Sequence, residues 1–247
     1  VPGVLRGYDH RALAAAVQRE APGLEHVLVA RAEPGPGQAS FDALLASEPR
    51  ADLPPSPLGP YDVASLFYTS GTTSDPKGVM HTPSTLGSFV ATQIEISEAG
   101  DDQVGILWFP LTHIGGICAF GMGPVVNGTR AVFLEQFDPE AALELIEREQ
   151  VTNAGGPTPI VQALLAAKGF APQRVRSIRQ SGLGATDVPP ELIRELRAKL
   201  GAFVSRSYGM TECPMATGGT PQDPEEKLVT TDGRAVPGVT VRTVDDA

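Results

Sequence analysis

The stretch Tyr68–Val79, "YTSGTTSDPKGV", decides how this sequence is read. It gathers hydroxyl side chains, two glycines, a proline and a single lysine. Glycines let a backbone approach a phosphate closely, hydroxyls and amides donate hydrogen bonds to it, and a lysine supplies a point charge. The same residues also suit a turn-rich surface loop. A Walker A loop is excluded, because Pro76 precedes Lys77 and Gly78 follows it, where that motif needs Gly-Lys and then Ser or Thr. Context is compatible with the phosphate reading and leaves both open. An apolar run, "VASLFY" (63–68), precedes the stretch, and Thr82-Pro83 after it resembles the cap of a helix. Loops at the carboxyl ends of parallel strands are where such sheets hold ligands.

Working outward, short apolar runs alternate with longer amphipathic ones. "HVLVA" (26–30), "VASLFY" (63–68), "VGILWF" (104–109), "RAVFLE" (130–135) and "VRSIRQ" (175–180) read as strands. Helical patterns cover 11–20, 84–96, 139–150, 158–168 and 190–200. Asp138 is a good N-cap with Pro139 at the first helical position, and Leu192, Ile193, Leu196 and Leu200 form one apolar face. This alternation predicts an α/β fold of mostly parallel sheets flanked by helices. Residues 48–62 hold five prolines and read as an extended connector. Residues 214–238 show no clear helix, and "VTVRTV" (239–244) reads as a strand.

Composition narrows the function classes. With 41% hydrophobic and 19% charged residues the chain reads as globular. A formal charge of −10 argues against a nucleic-acid surface, which needs clustered Lys and Arg. Cys118 and Cys213 stand far apart, with no CxxC and no nearby histidine pair, so neither a disulfide framework nor a structural zinc site is expected. No apolar run reaches membrane-spanning length and the first residues lack a signal-peptide core, so the expected setting is cytoplasmic.

Five ordered stretches carry a family resemblance. "YTSGTTSDPKGV" resembles the signature loop of the adenylate-forming enzymes, which include acyl-CoA synthetases and aryl-CoA ligases; Ser74 stands where the family usually has glycine. "FPLTHIGGI" (109–117) resembles the segment lining the acyl pocket, and "SGLGATDVPPEL" (181–192) the glycine-rich turn facing adenine. "SYGMTE" (207–212) resembles the aromatic-Gly-x-Thr-Glu motif, and "DGRAVPGVTVRTVD" (232–245) the strand region beyond it.

The resemblance implies attack of a carboxylate on the α-phosphate of ATP, release of pyrophosphate, and transfer of the acyl group from the adenylate to coenzyme A. Both reactants are anionic, so catalysis is mainly charge neutralisation and alignment. Thr69, Ser70, Gly71, Thr72, Thr73 and Lys77 would embrace the β- and γ-phosphates. Thr211 would reach the α-phosphate and Glu212 would hold Mg²⁺, with Lys77, Thr211 and Glu212 as the catalytic set. Tyr208, Gly209 and Met210, with Gly184, Ala185 and Thr186, would take the adenine; Leu183 and Asp187 depart from the pattern there. His113, Ile114, Gly115, Gly182 and Met210 would border the acid. His113 is not assigned as a general base, because a carboxylate is already ionised at neutral pH. "FPLTHIGG" lacks the aspartate that amino-acid-activating relatives carry, which favours an unaminated acid.

By the same resemblance, residues 1–247 are expected to form an incomplete N-terminal, ATP- and acyl-binding domain, without the C-terminal lid domain. An enzyme that loads a carrier protein, or a nonenzymatic nucleotide-binding domain of this fold, remains an alternative. The resemblance leaves a homodimer open.

Overall fold

Among the described residues, two short ladders and two capped helices make up the first of two units, Val1–Ser56. The computed structural model describes residues 1–49, 52, 54–69, 75–97, 100–108 and 110–245. The boundary between units falls inside the proline-rich connector. Strands β1 (Val4–Leu5) and β2 (Tyr8–Asp9) pair antiparallel, and α1 (His10–Glu20) follows at once. Asp9 caps α1, accepting from the Arg11 amide at 2.9 Å, while the Arg11 guanidinium donates to the same carboxylate. That hydrogen bonding holds the Asp9 carboxyl at about 2. A depressed folded value means that the cap's contribution is fully present above about pH 4 and is lost as the pH falls through about 2. β3 (Leu28–Val29) and β4 (Ala39–Ser40) pair in parallel, and Ser40 caps α2 (Phe41–Leu45). Ala14, Val27 and Val29 form the small core of this unit.

The second unit, Pro57–Ala247, carries the candidate site. β5 (Ser65–Thr69) and β6 (Lys77–His81) form an antiparallel hairpin, and α3 (Pro83–Ser97) follows. The sequence reading had no strand at 77–81 and passed from loop to helix. The strand exists because Val79 and His81 turn inward in step while Lys77, Gly78 and Met80 stay exposed. β7 (Val104–Leu107) pairs in parallel with β8 (Arg130–Phe133). Between them run α4 (Ile114–Gly116), a π-helical turn (Ile117–Met122) and α5 (Gly123–Asn127). α6 (Pro139–Glu149) begins on the predicted Asp138 cap and ends at Gln150, whose φ of 52° stops the helix. α7 (Thr158–Leu165) leads to a 3₁₀ turn (Pro172–Val175) and β9 (Gln180–Leu183). α8 (Pro190–Leu200) then returns the chain to β10 (Phe203–Met210). β11 (Cys213–Gly218), α9 (Glu225–Thr230) and β12 (Arg234–Ala235) close the order.

The parallel part of the sheet runs β8–β7, then the 153–156 segment, then β9–β10, because Asn153 bridges Gly105 on one side and Gln180 on the other. β11 and β12 extend it antiparallel. One face is buried against α6, α7 and α8 by Ile106, Leu143, Ile146, Leu183, Ile193 and Val204, each without exposed surface. A second cluster, Leu86, Phe89, Val90, Ile114 and Cys118, joins α3 to the π turn.

Three boundaries differ from the sequence reading. "VRSIRQ" is not a strand: Val175 and Ile178, three apart, anchor a tight turn in the core, and the ladder begins only at Gln180. Residues 214–238 do contain regular structure, in β11, α9 and β12. "VTVRTV" forms no ladder; Val241 and Val244 are 56% and 77% exposed, and alternation alone does not make a strand.

Cys118 has no exposed surface, and burial pushes its thiol up to about 11, while Cys213 is half-buried. Thiol titration at pH 8 is expected to give one fast equivalent, at Cys213, with Cys118 reacting only after denaturation. Two fast equivalents would contradict this packing.

Candidate functional site

The β5–β6 register runs from Ser65↔His81 to Thr69↔Lys77. Thr69 and Lys77 therefore face each other as the last described pair of the hairpin. Ser70, Gly71, Thr72 and Thr73 lie outside the described residues. Lys77 is exposed and makes no ion pair among the described residues.

At the other end of β6 sits His81, which the sequence reading passed over. It is 2% exposed. Its Nε2 lies 2.7 Å from the Thr211 carbonyl and its Nδ1 lies 3.1 Å from Thr85 Oγ1. A carbonyl can only accept, so the proton is assigned to Nε2. Phe67 packs edge-on against the ring at 5.7 Å. Thr85 and Thr82 exchange backbone-to-side-chain hydrogen bonds at the start of α3. One imidazole thus joins the β5–β6 hairpin, the first turn of α3 and the turn that carries Thr211. The available signal was a histidine in period-2 phase with Val79.

Thr211 and Glu212 form the two-residue turn between β10 and β11, flanked by the pair Met210↔Cys213. The ladder shifts register between Tyr208 and Met210, at Gly209, where any Cβ would meet the Pro214 carbonyl. The glycine of "SYGMTE" is therefore demanded by backbone packing. Tyr208 is 51% exposed and Met210 43%, so neither is a core residue. Glu212 is exposed and makes no ion pair among the described residues.

The segment 184–187 leaves the carboxyl end of β9. Thr158, at the start of α7, braces it: its amide donates to Thr186 Oγ1 at 3.3 Å and its hydroxyl to the Asp187 carbonyl at 2.9 Å. Ala185 is held at φ 65°, a left-handed conformation that costs an alanine about 1–2 kcal/mol. Ala185→Gly is expected to raise stability by about 0.5–1 kcal/mol, since part of that relief returns as unfolded-chain entropy. Chemical denaturation tests it; a loss of stability would show that the methyl group contributes more than the strain costs.

His113 caps α4, its Nδ1 accepting from the Gly115 amide at 3.1 Å, which puts its proton on Nε2. His113, Gly115, Gly182, Gly184, Ala185 and Thr186 all line one cavity of about 660 Å³. Ile114 does not; it is 4% exposed, in the cluster with Phe89 and Cys118. Thr69, Lys77, Tyr208, Gly209, Met210, Thr211 and Glu212 stand outside the lining as well. Phe89, Val90 and Gln93 of α3, with Ser205, Ser207 and Met215, complete walls that the sequence reading missed. No Asp, Glu, Lys or Arg is among the described residues that line it.

A parallel sheet flanked by helices, with the 184–187 segment leaving the carboxyl end of β9 beside a cavity that no described Asp, Glu, Lys or Arg lines, defines an α/β domain. The chain belongs to the AMP-binding enzyme family, which matches it over residues 4–247. It is 32% identical over 221 residues to the indoleacetate–CoA ligase of Aromatoleum aromaticum, covering 89% of this chain and 43% of that protein. Identity is also 32%, over 257 residues, with the 2-hydroxy-7-methoxy-5-methyl-1-naphthoate–CoA ligase of Streptomyces carzinostaticus, covering 99% and 46%. A solved structure, the o-succinylbenzoate CoA synthetase of Bacillus subtilis in complex with its acyl-adenylate intermediate, matches with a TM-score of 0.72 and 27% identity. It covers 92% of this chain and 47% of that one. The chain spans less than half the length of these relatives.

Proposed function

We propose that this chain provides the ATP- and acid-binding part of an AMP-forming acid–thiol ligase. A carboxylate oxygen attacks the α-phosphorus of ATP, the bond to the β-phosphate breaks, and pyrophosphate leaves. The acyl group of the adenylate then passes to the thiol of coenzyme A, releasing AMP. The observation that carries this reading is the His81–Thr211 contact, which joins the phosphate-loop hairpin to the Thr211-Glu212 turn. Two segments far apart in sequence, each matching a nucleotide motif, are fixed to one imidazole.

In this reading Thr69 and Lys77, with Ser70, Gly71, Thr72 and Thr73, hold the β- and γ-phosphates. Thr211 meets the α-phosphate. Tyr208, Gly209 and Met210, with Gly184, Ala185 and Thr186, take the adenine, and His113, Gly115 and Gly182 border the acid. Glu212 fits Mg²⁺: it is a single exposed carboxylate, no group of three or more potential ligands occurs among the described residues, and Mg²⁺ is commonly held by one or two carboxylates plus substrate phosphates. Bound there, Mg²⁺ would neutralise phosphate charge. The uncharged cavity supports an acid without an ammonium group. Residues 1–247 are read as part of an N-terminal domain that works with a lid domain, in a reducing, cytoplasmic setting that suits two free cysteines.

The test is ATP–pyrophosphate exchange with Mg²⁺ and a panel of acetate, medium-chain, aryl and amino acids. Exchange stimulated by unaminated acids is expected, at a rate reduced by about 10²–10³ if one preorganised electrostatic donor lies in the lid domain. Stimulation by amino acids alone, or ATP binding indifferent to Mg²⁺ and acid, would overturn the reading.

A further inference from the structure

The cavity has a floor whose composition follows from strand register. Phe203 pairs with Gln180 and Ser205 with Gly182, while Asn153 bridges Gln180. Adjacent strands in register point their paired side chains to the same face. The floor therefore has three successive rungs: Asn153–Gln180–Phe203, then Gly155–Gly182–Ser205, then Gly184–Ser207. All eight residues line the cavity. The alternating positions Ala154, Leu183 and Val204 point the other way, into the main core. The roof is Phe89, Val90 and Gln93 of α3 with Cys118 and Phe120 of the π turn.

The middle rung is nearly bare. A Cβ at Gly182 would meet nothing within 4 Å, so the space above it is open. The rung at Gly184 and Ser207 adjoins the 184–186 segment assigned above to the nucleotide. Gln180 lies four residues back along β9, about 13 Å away. There the lining becomes amide-rich, with Gln103, Asn127 and Thr129 joining Asn153 and Gln180. The Arg130 amide donates to the Gln103 carbonyl at 3.0 Å, which places Thr129 beside Gln103. None of these four carboxamides has a hydrogen-bond partner for its side chain among the described residues. Each offers two donors and an acceptor, and covering them with an alkyl end would leave those groups unpaired. A charged end would find no carboxylate, ammonium or guanidinium partner, because no Asp, Glu, Lys or Arg lines the cavity among the described residues.

We infer that the acid this site accepts carries a neutral hydrogen-bonding group, a hydroxyl, carbonyl or amide, about 10–13 Å from its carboxylate, received by the rung of Asn153 and Gln180. The apolar roof and the bare glycine rung take the body of the molecule between its two polar ends. This rests on the proposed acid-binding role of the cavity and adds to it the identity of the far end.

The test is calorimetric titration of the chain, with ATP and Mg²⁺ present, by three acids of one length: decanoate, 10-hydroxydecanoate and decanedioate. The hydroxy acid is expected to bind about five- to tenfold more tightly than either of the others, as one or two neutral hydrogen bonds would give. In Gln180→Leu the preference should collapse or turn toward decanoate. Asn127→Leu is a second variant, away from the ladder, should Gln180→Leu unfold. Gly182→Val should weaken all three acids by filling the middle of the floor. Equal affinities for decanoate and 10-hydroxydecanoate in the unmodified chain would sink the amide-rung inference while leaving acid binding intact. Binding of ATP with no response to any acid would instead sink the acid-site reading, and this inference with it.

Discussion

His81→Asn is expected to weaken ATP binding roughly ten- to hundredfold, while His81→Gln stays within about threefold of the original. The two amides separate the two ring nitrogens. A glutamine amide nitrogen reaches near the position of imidazole Nε2 and an asparagine amide near Nδ1. The asparagine therefore keeps the Thr85 contact and abandons the Thr211 carbonyl, now 2.7 Å from the ring. Leaving an acceptor unpaired costs about 1–3 kcal/mol when it is fully buried and less at this half-buried carbonyl, the source of the expected factor. The loss should fall on ATP and spare the acid, because His81 is outside the cavity lining. Hydrogen exchange without ligand gives an independent reading: faster exchange in both 77–81 and 208–213 for asparagine, restored by glutamine. A purely local stability role would lower the melting temperature of both variants alike, without any split between ATP and acid. Identical behaviour of the two variants would defeat the positioning role.

The parts of this fold that were legible in the sequence are those where local chemistry and burial agree. α6 and α8 lie where Asp138, Pro139, Pro190 and the Leu192–Leu200 face predict them, because caps and apolar stripes are local signals. β9 was misread for the opposite reason. "QSGL" is small and polar, poor in intrinsic strand preference, and it is a strand because Asn153 and β10 hydrogen-bond it on both sides. Its Gly182 looked like part of a turn. It lies instead in the floor of a cavity, a role that emerges only when Gly182 is set beside Ser205. The site divides in the same way. The segments bearing Lys77, Glu212, Ala185 and His113 could be picked out as motifs, but His81 acts through a contact 130 positions away, which no window of sequence contains.

Glu212→Gln is the sharper test of the chemistry. The substitution removes one charge and keeps the shape of a side chain that is exposed and makes no ion pair among the described residues, so stability should change by less than about 0.5 kcal/mol. The turn itself is set by Gly209, by the Met210↔Cys213 pair and by the hydrogen bond from His81, none of which involves the carboxylate. If Glu212 holds Mg²⁺ against the phosphates, then Mg²⁺-stimulated pyrophosphate exchange should fall by about 10²–10³, comparable to losing one preorganised electrostatic contact. ATP affinity measured without Mg²⁺ should be unchanged or slightly higher, since a negative charge near the phosphates has gone. That combination separates metal holding from simple repulsion or misfolding. Repulsion alone would raise exchange in the glutamine variant, and misfolding would lower ATP affinity in both conditions. Exchange that keeps its full Mg²⁺ dependence after the substitution would mean that the metal is held by the nucleotide itself, and Glu212 would lose its assigned role.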